Sequence, residues 1–115
     1  MIFIMQNENL KYTKKFLIDS FGSFWGNKVQ DYVIEELGHS PHEVLTIEFK
    51  LYNYFPIRLN LEMDKISFSI IFSHTRIMVS KHEFSFENID NIIESFDNEI
   101  LLRIPDKFLI AKGWM

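Results

Sequence analysis

Between His82 and Arg103 the chain carries Glu83, Glu87, Asp90, Glu94, Asp97 and Glu99, with no lysine or arginine among them. An uncompensated run of carboxylates attracts a basic partner and speeds its capture. At about 100° per residue, a helix here puts Glu87, Asp90 and Glu94 on one side and Ile89, Ile93 and Phe96 on the other. The acidic residues then face outward, and together with Asp97 they form a first candidate partner surface. The competing reading is an ordinary solvated face, because the helix dipole favours carboxylates early in a helix. A second candidate lies upstream, where Thr46, Glu48, Lys50, Arg58, Asn60, Glu62, Ser67 and Ser69 alternate with apolar residues and so share the outer side of a sheet. The small serines make that surface flat, and Arg58, Asn60 and Ser69 offer it to a protein partner. An antiparallel sheet also commonly has one solvated face with no such role.

Other chemistries have less support. His39-x-x-His42 has metal-ligand spacing, but Pro41 interrupts it and no cysteine or close acidic pair completes a site, so no metal is expected. The serines fall in strand alternation or at helix starts, without the elbow that exposes a nucleophile. Glycines at 22, 26, 38 and 113 match neither dinucleotide nor P-loop spacing. The expectation is a non-enzymatic protein without a cofactor. Tyr52, Tyr54 and Phe55 crowd one turn before Pro56. Such a cluster either anchors an interface or closes the end of a sheet, and closure is the stronger expectation. Trp25 and Trp114 are expected in the core or capping it.

Periodicity predicts the elements that must position these residues. Residues 8 to 20 suggest a short amphipathic helix, interrupted by the two glycines of Phe21-Gly-Ser-Phe-Trp-Gly26. From Trp25, the spacing of Val29, Tyr32, Val33 and Leu37 predicts a second helix, capped by Gly38 and followed by a loop at His39 to His42. From Val44 to about His82 the period becomes two, which predicts a meander of antiparallel strands. A turn at Asp64-Lys65 sets Leu61 against Phe68, Leu59 against Ile70 and Ile57 against Phe72. A turn at His74-Thr75 sets Phe72 against Ile77 and Ile70 against Val79. Ser85 is placed to cap an amphipathic helix that Asp97-Asn98 ends. Residues 99 to 104 read as a fifth strand, and Pro105 opens a last helix that stops near Gly113. The fold class is α+β: an antiparallel β-meander of four to five strands with helices packed on its apolar face.

At 115 residues the chain has the size of one domain, residues 1 to 115, and its 47% hydrophobic content supports a core without staples. It contains no cysteine, which fits a reducing compartment. Sixteen acidic against twelve basic residues give a net charge of −4, which argues against nucleic acid as a partner. No window approaches the roughly 20 apolar residues of a membrane span. Met1-Ile-Phe-Ile-Met5 is too short and uncharged for a signal core and reads as a strand, so the expected compartment is the cytoplasm.

The segment Leu102-Arg-Ile-Pro-Asp-Lys-Phe-Leu109, closing with Gly113-Trp114, resembles the ending of bacterial immunity proteins of contact-dependent growth inhibition and other polymorphic-toxin systems. That resemblance implies a cytoplasmic, non-enzymatic inhibitor whose partner is a cognate toxin domain, often a nuclease, blocked at its active site or substrate groove. It assigns no residue a role. The alternative function is a self-associating structural or adaptor domain, a homodimer through its sheet edge or outer face.

Overall fold

The structure, a computed structural model, describes residues 7–39 and 42–115, with side chains at 11–35 and 44–115. The strand expected at Met1 to Met5 lies outside these residues. Helix α1 (Asn7–Trp25) leads into strands β1 (Val29–His39), β2 (His42–Leu51), β3 (Phe55–Glu62), β4 (Lys65–Phe72) and β5 (Thr75–Glu83). Helices α2 (Ile89–Leu101) and α3 (Asp106–Ala111) follow. The strands form one antiparallel sheet in the order β1-β2-β3-β4-β5, the expected α+β meander, now with five strands. Leu17, Phe21 and Trp25 of α1 and Ile89, Ile93 and Phe96 of α2 pack with Leu45, Ile47, Leu59, Phe68 and their neighbours in one core. The Phe68 and Phe96 rings stack with centroids 4.3 Å apart.

Helix α1 is longer than expected. Thr13, Leu17, Phe21 and Trp25 form a buried row at four-residue spacing, so Trp25 ends the first helix instead of opening a second. Gly22 does not interrupt it, since it lies on the exposed side with open space around its Cα. Gly26, at φ 57°, takes the left-handed conformation that stops the helix.

The predicted helix over residues 25 to 37 is in fact mostly strand β1. Asp31, at φ 61°, makes a bulge between Gln30 and Val33. The bulge sends Val29 and Tyr32 to the core side at a spacing of three, which imitates a helical period. Gly38 is not a helix cap but pairs with Glu43 inside the β1–β2 ladder, and His39 pairs with His42.

The inward set of β2, β3 and β4 is as predicted as far as Ile70, but both hairpin registers slip by two residues. Leu61 faces Ile66, Leu59 faces Phe68 and Ile57 faces Ile70. The turn falls on Met63 and Asp64, both at positive φ, which is the hairpin geometry whose twist matches the strands. An even slip leaves the side chains of β3 and β4 on their expected faces. In the next hairpin Ile70 faces Ile77 and Phe72 faces Thr75. Phe72 therefore runs past the covered part of the sheet and is exposed.

Residues 99–104 are not a strand. Ile100 is fully buried and continues the row of Ile89, Ile93 and Phe96, so α2 runs through Asp97-Asn98 to Leu101. Ser85 precedes a 3-10 turn at Phe86–Asn88, and its side chain makes no capping hydrogen bond. Pro105 does open α3, and Gly113, at φ 77°, closes it, with the Trp114 N–H donating to the Leu109 carbonyl.

Candidate functional site

The two surfaces suggested by the sequence lie on opposite sides of the molecule. Glu87, Asp90 and Glu94 are exposed on the outer side of α2 and its leading turn. Asp97 does not join them, because it is buried at 8% exposure. Its Oδ1 accepts the Tyr52 hydroxyl at 2.6 Å and the Trp25 indole N–H at 2.8 Å. Three elements meet there: the end of α1, the β2–β3 turn and α2. Burial, reinforced by the bond to Asp97, pushes the Tyr52 hydroxyl pKa well above its ordinary value. Asp97 is thus a cross-link of the fold and offers nothing to a partner's surface. The run is also less uncompensated than its sequence suggests, since Glu83 pairs with Lys65 and Glu99 with Arg103.

The outer face of the sheet is not flat. It forms an open trough of about 900 Å³ along β3, β4 and β5. Side-chain size explains its shape. In one row across the strands Arg58 faces Ser69, which faces Met78; in the next, Asn60 faces Ser67, which faces Lys81. Small serines on β4 make the floor, and the longer side chains of β3 and β5 make the walls. Ser69 is accordingly buried, while Arg58 and Asn60 are half-buried.

Arg58 donates from Nη1 to Glu48 at 3.2 Å, and its Nε is buried with no protein acceptor. The Thr46 hydroxyl reaches Asn60 Oδ1 at 3.3 Å. The lining is basic: Arg58, Lys65, Arg76 and Lys81 face it, against Glu62.

Arg76 and Lys81 escaped the sequence reading. A bulge in β5 explains the second omission, because Met78 faces Ser69 whereas Ser80, not Val79, faces Phe68. Strict alternation from Ile77 would have turned Lys81 toward the helices; the extra residue turns it outward, opposite Ser67. A lysine in inward phase after Ile77 and Val79 was the readable signal. The bulge has a cost, for Ser80 and His82 now point inward with Ser80 Oγ and His82 Nε2 buried and unpartnered.

The remaining candidates have structural places. Tyr52 is buried and packs on Trp114 at 5.7 Å between centroids, and Tyr54 packs on Phe108 at 4.8 Å, so the aromatic turn folds over the end of the core. Trp25 is buried in the core and Trp114 caps it. Among the described residues, no cluster of three or more His, Asp or Glu side chains is arranged to hold a metal. None of the described helices is long and apolar enough to cross a membrane. Comparisons with protein-family models, curated proteins and solved structures find no match to this chain.

Proposed function

We propose that this chain is a binding protein that neutralises a cognate bacterial toxin domain in the cytoplasm, covering its active site or substrate groove. The trough is the observation that supports the reading. An open concavity with charged walls, floored by a hydrogen-bonded sheet and backed by a packed core, meets another macromolecule without reorganising its own backbone. Arg58, Asn60 and Ser69 belong to this surface, and Glu87, Asp90 and Glu94 offer a second one to a basic region of the same partner. The resemblance carried by Leu102 to Leu109 and Gly113-Trp114 is what makes the partner a toxin.

The test is co-expression with the toxin region encoded beside this gene. A stable complex with loss of toxin activity is expected at equimolar amounts. A neighbourhood that encodes no toxin, or a toxin that stays active and unbound, overturns the proposal. A second reading has its own observation: edge strand β5 exposes Ile77 and Met78 at 51% and 57%, a surface on which two copies can pair. Light scattering separates the two, since self-association predicts a mass that rises with concentration in the absence of any partner.

A further inference from the structure

We infer that the trough takes an extended, carboxylate-bearing segment of its protein partner, an inference that rests on the binding reading above. Charge is the first support. A chain of net charge −4 gathers Arg58, Lys65, Arg76 and Lys81 on one concave face, where Glu62 is the acidic side chain in the lining. Glu83 engages Lys65 and Glu48 engages Arg58. Arg76 and Lys81 have no ion-pair or hydrogen-bond partner among the described residues, and both are exposed.

The β5 bulge is the second support. It brings Lys81 to this face at the expense of two buried, unpartnered polar atoms on the other. A local irregularity that re-aims one side chain is the common use of a bulge beside a binding site, and sites of function are where local rules are broken.

Spacing defines the ligand. Arg76 faces Ile71 and Lys81 faces Ser67, so the two cations stand four ladder positions apart. At about 3.3 Å per residue that is roughly 13 Å, the distance between side chains i and i+4 on one side of an extended peptide. Carboxylates on alternate residues of such a peptide meet both cations. A nucleic-acid backbone would meet the same cations, but among the described lining residues no Phe, Tyr or Trp side chain offers a base a stacking platform, and the His74 imidazole is the aromatic ring present.

The experiment is fluorescence anisotropy with a fluorescein-labelled decapeptide of alternating glutamate and threonine. A lysine-for-glutamate counterpart and a single-stranded oligonucleotide serve as comparison probes. The acidic peptide is expected to bind and the basic one not to. The double variant Arg76→Glu, Lys81→Glu is expected to weaken acidic-peptide binding by at least about tenfold, equivalent to about 1.4 kcal/mol. Thermal melting verifies that this variant is folded. Asp106→Lys, at an exposed position of α3 outside the trough lining, is expected to leave the affinity for the acidic peptide within about twofold. Equal binding of the two peptides, tighter binding of the oligonucleotide, or unchanged affinity in the Arg76/Lys81 variant overturns the inference. The toxin complex is scored separately. A complex that forms with undiminished affinity in the Arg76/Lys81 variant removes the acidic segment and keeps the binding function. Acidic-peptide capture by a chain that binds no toxin supports the trough's chemistry and removes the toxin.

Discussion

Replacing Asp97 by alanine tests whether this carboxylate belongs to the interior or to a partner surface. Its Oδ1 is the acceptor for the Tyr52 hydroxyl at 2.6 Å and for the Trp25 indole N–H at 2.8 Å, in a buried site. Alanine removes the acceptor and leaves both donors buried, at about 1 to 3 kcal/mol for each unsatisfied group. The expected loss is about 2 to 6 kcal/mol, a large part of the roughly 5 to 15 kcal/mol that stabilises a typical domain. The conservative variant Asp97→Asn retains an acceptor oxygen of the same reach and should lose only about 1 kcal/mol. Exposed Glu94→Ala should stay within about 0.5 kcal/mol of the wild type. Urea unfolding followed by tryptophan fluorescence gives all three values, read as midpoint shifts at constant slope. If Asp97→Ala falls within about 1 kcal/mol of the wild type, or behaves like Glu94→Ala, the cross-link is not holding these elements together and the reasoning is refuted.

Two further predictions concern the same core and sheet. Leu59→Asp puts a carboxylate at a fully buried position and should abolish folding, whereas Asn60→Asp, one residue along on the trough face, should leave a cooperative melt; similar tolerance at both would contradict the assigned faces. Alkaline pH should expose the burial of Tyr52, whose phenol is held above its ordinary pKa of 10.0 first by burial and then by the bond to Asp97. The unfolded phenol ionises near 10 while the folded one keeps its proton. Its contribution is therefore constant below about pH 10 and declines above it, by up to about 1.4 kcal/mol per pH unit. Tyr52→Phe should flatten that decline in urea midpoints measured between about pH 9 and pH 11, leaving the smaller share of Tyr32, also raised by burial. An unchanged slope would exclude Tyr52 as its source.

The parts of the fold that sequence made legible are those where one period runs without interruption. Leu45, Ile47, Phe49 and Leu51 alternate cleanly with polar residues, as do Ile57, Leu59 and Leu61, and all are buried. Their faces survive a two-residue slip of the hairpins because the side-chain period is two. Legibility fails where a single residue changes the phase. Trp25 stands at the junction of two patterns, closing the Thr13-Leu17-Phe21 row while also sitting four residues before Val29. Asp31 then alters the strand's phase through a left-handed backbone that periodicity does not reveal. Around Ile100, Leu101, Leu102 and Ile104 the apolar density suggests a strand, and only the buried row along α2 shows that Ile100 belongs to the helix. The same limit divides the candidate site. Alternation put Arg58, Asn60 and Ser69 on the outer face, but the place of the bulge that brings Lys81 beside them is set by pairing with β4, and the local pattern signals it only through a lysine in inward phase.

The arrangement of charge also bears on how the two surfaces can act. Glu87, Asp90 and Glu94 lie on the outer side of a helix packed against the apolar face of the sheet, and the cations lie across the other face. Even the shortest dimension of the molecule is 22 Å, more than twice the screening length of about 8 to 10 Å near physiological salt. Each surface is then felt separately by whatever approaches it. An acidic segment is drawn to the trough without being repelled appreciably by the far helix, and a basic region is drawn to the helix without sensing the trough. At low salt the screening length grows to about 30 Å and the net charge of −4 begins to act on the trough's ligand as well. Attraction to the nearby cations and repulsion from the whole molecule then oppose each other, so an acidic ligand should gain less from salt removal than its contacts alone predict. A basic ligand of the helix receives both effects with the same sign. The departure of each surface's salt dependence from what its contacts alone predict therefore has a direction fixed by the sign of the net charge.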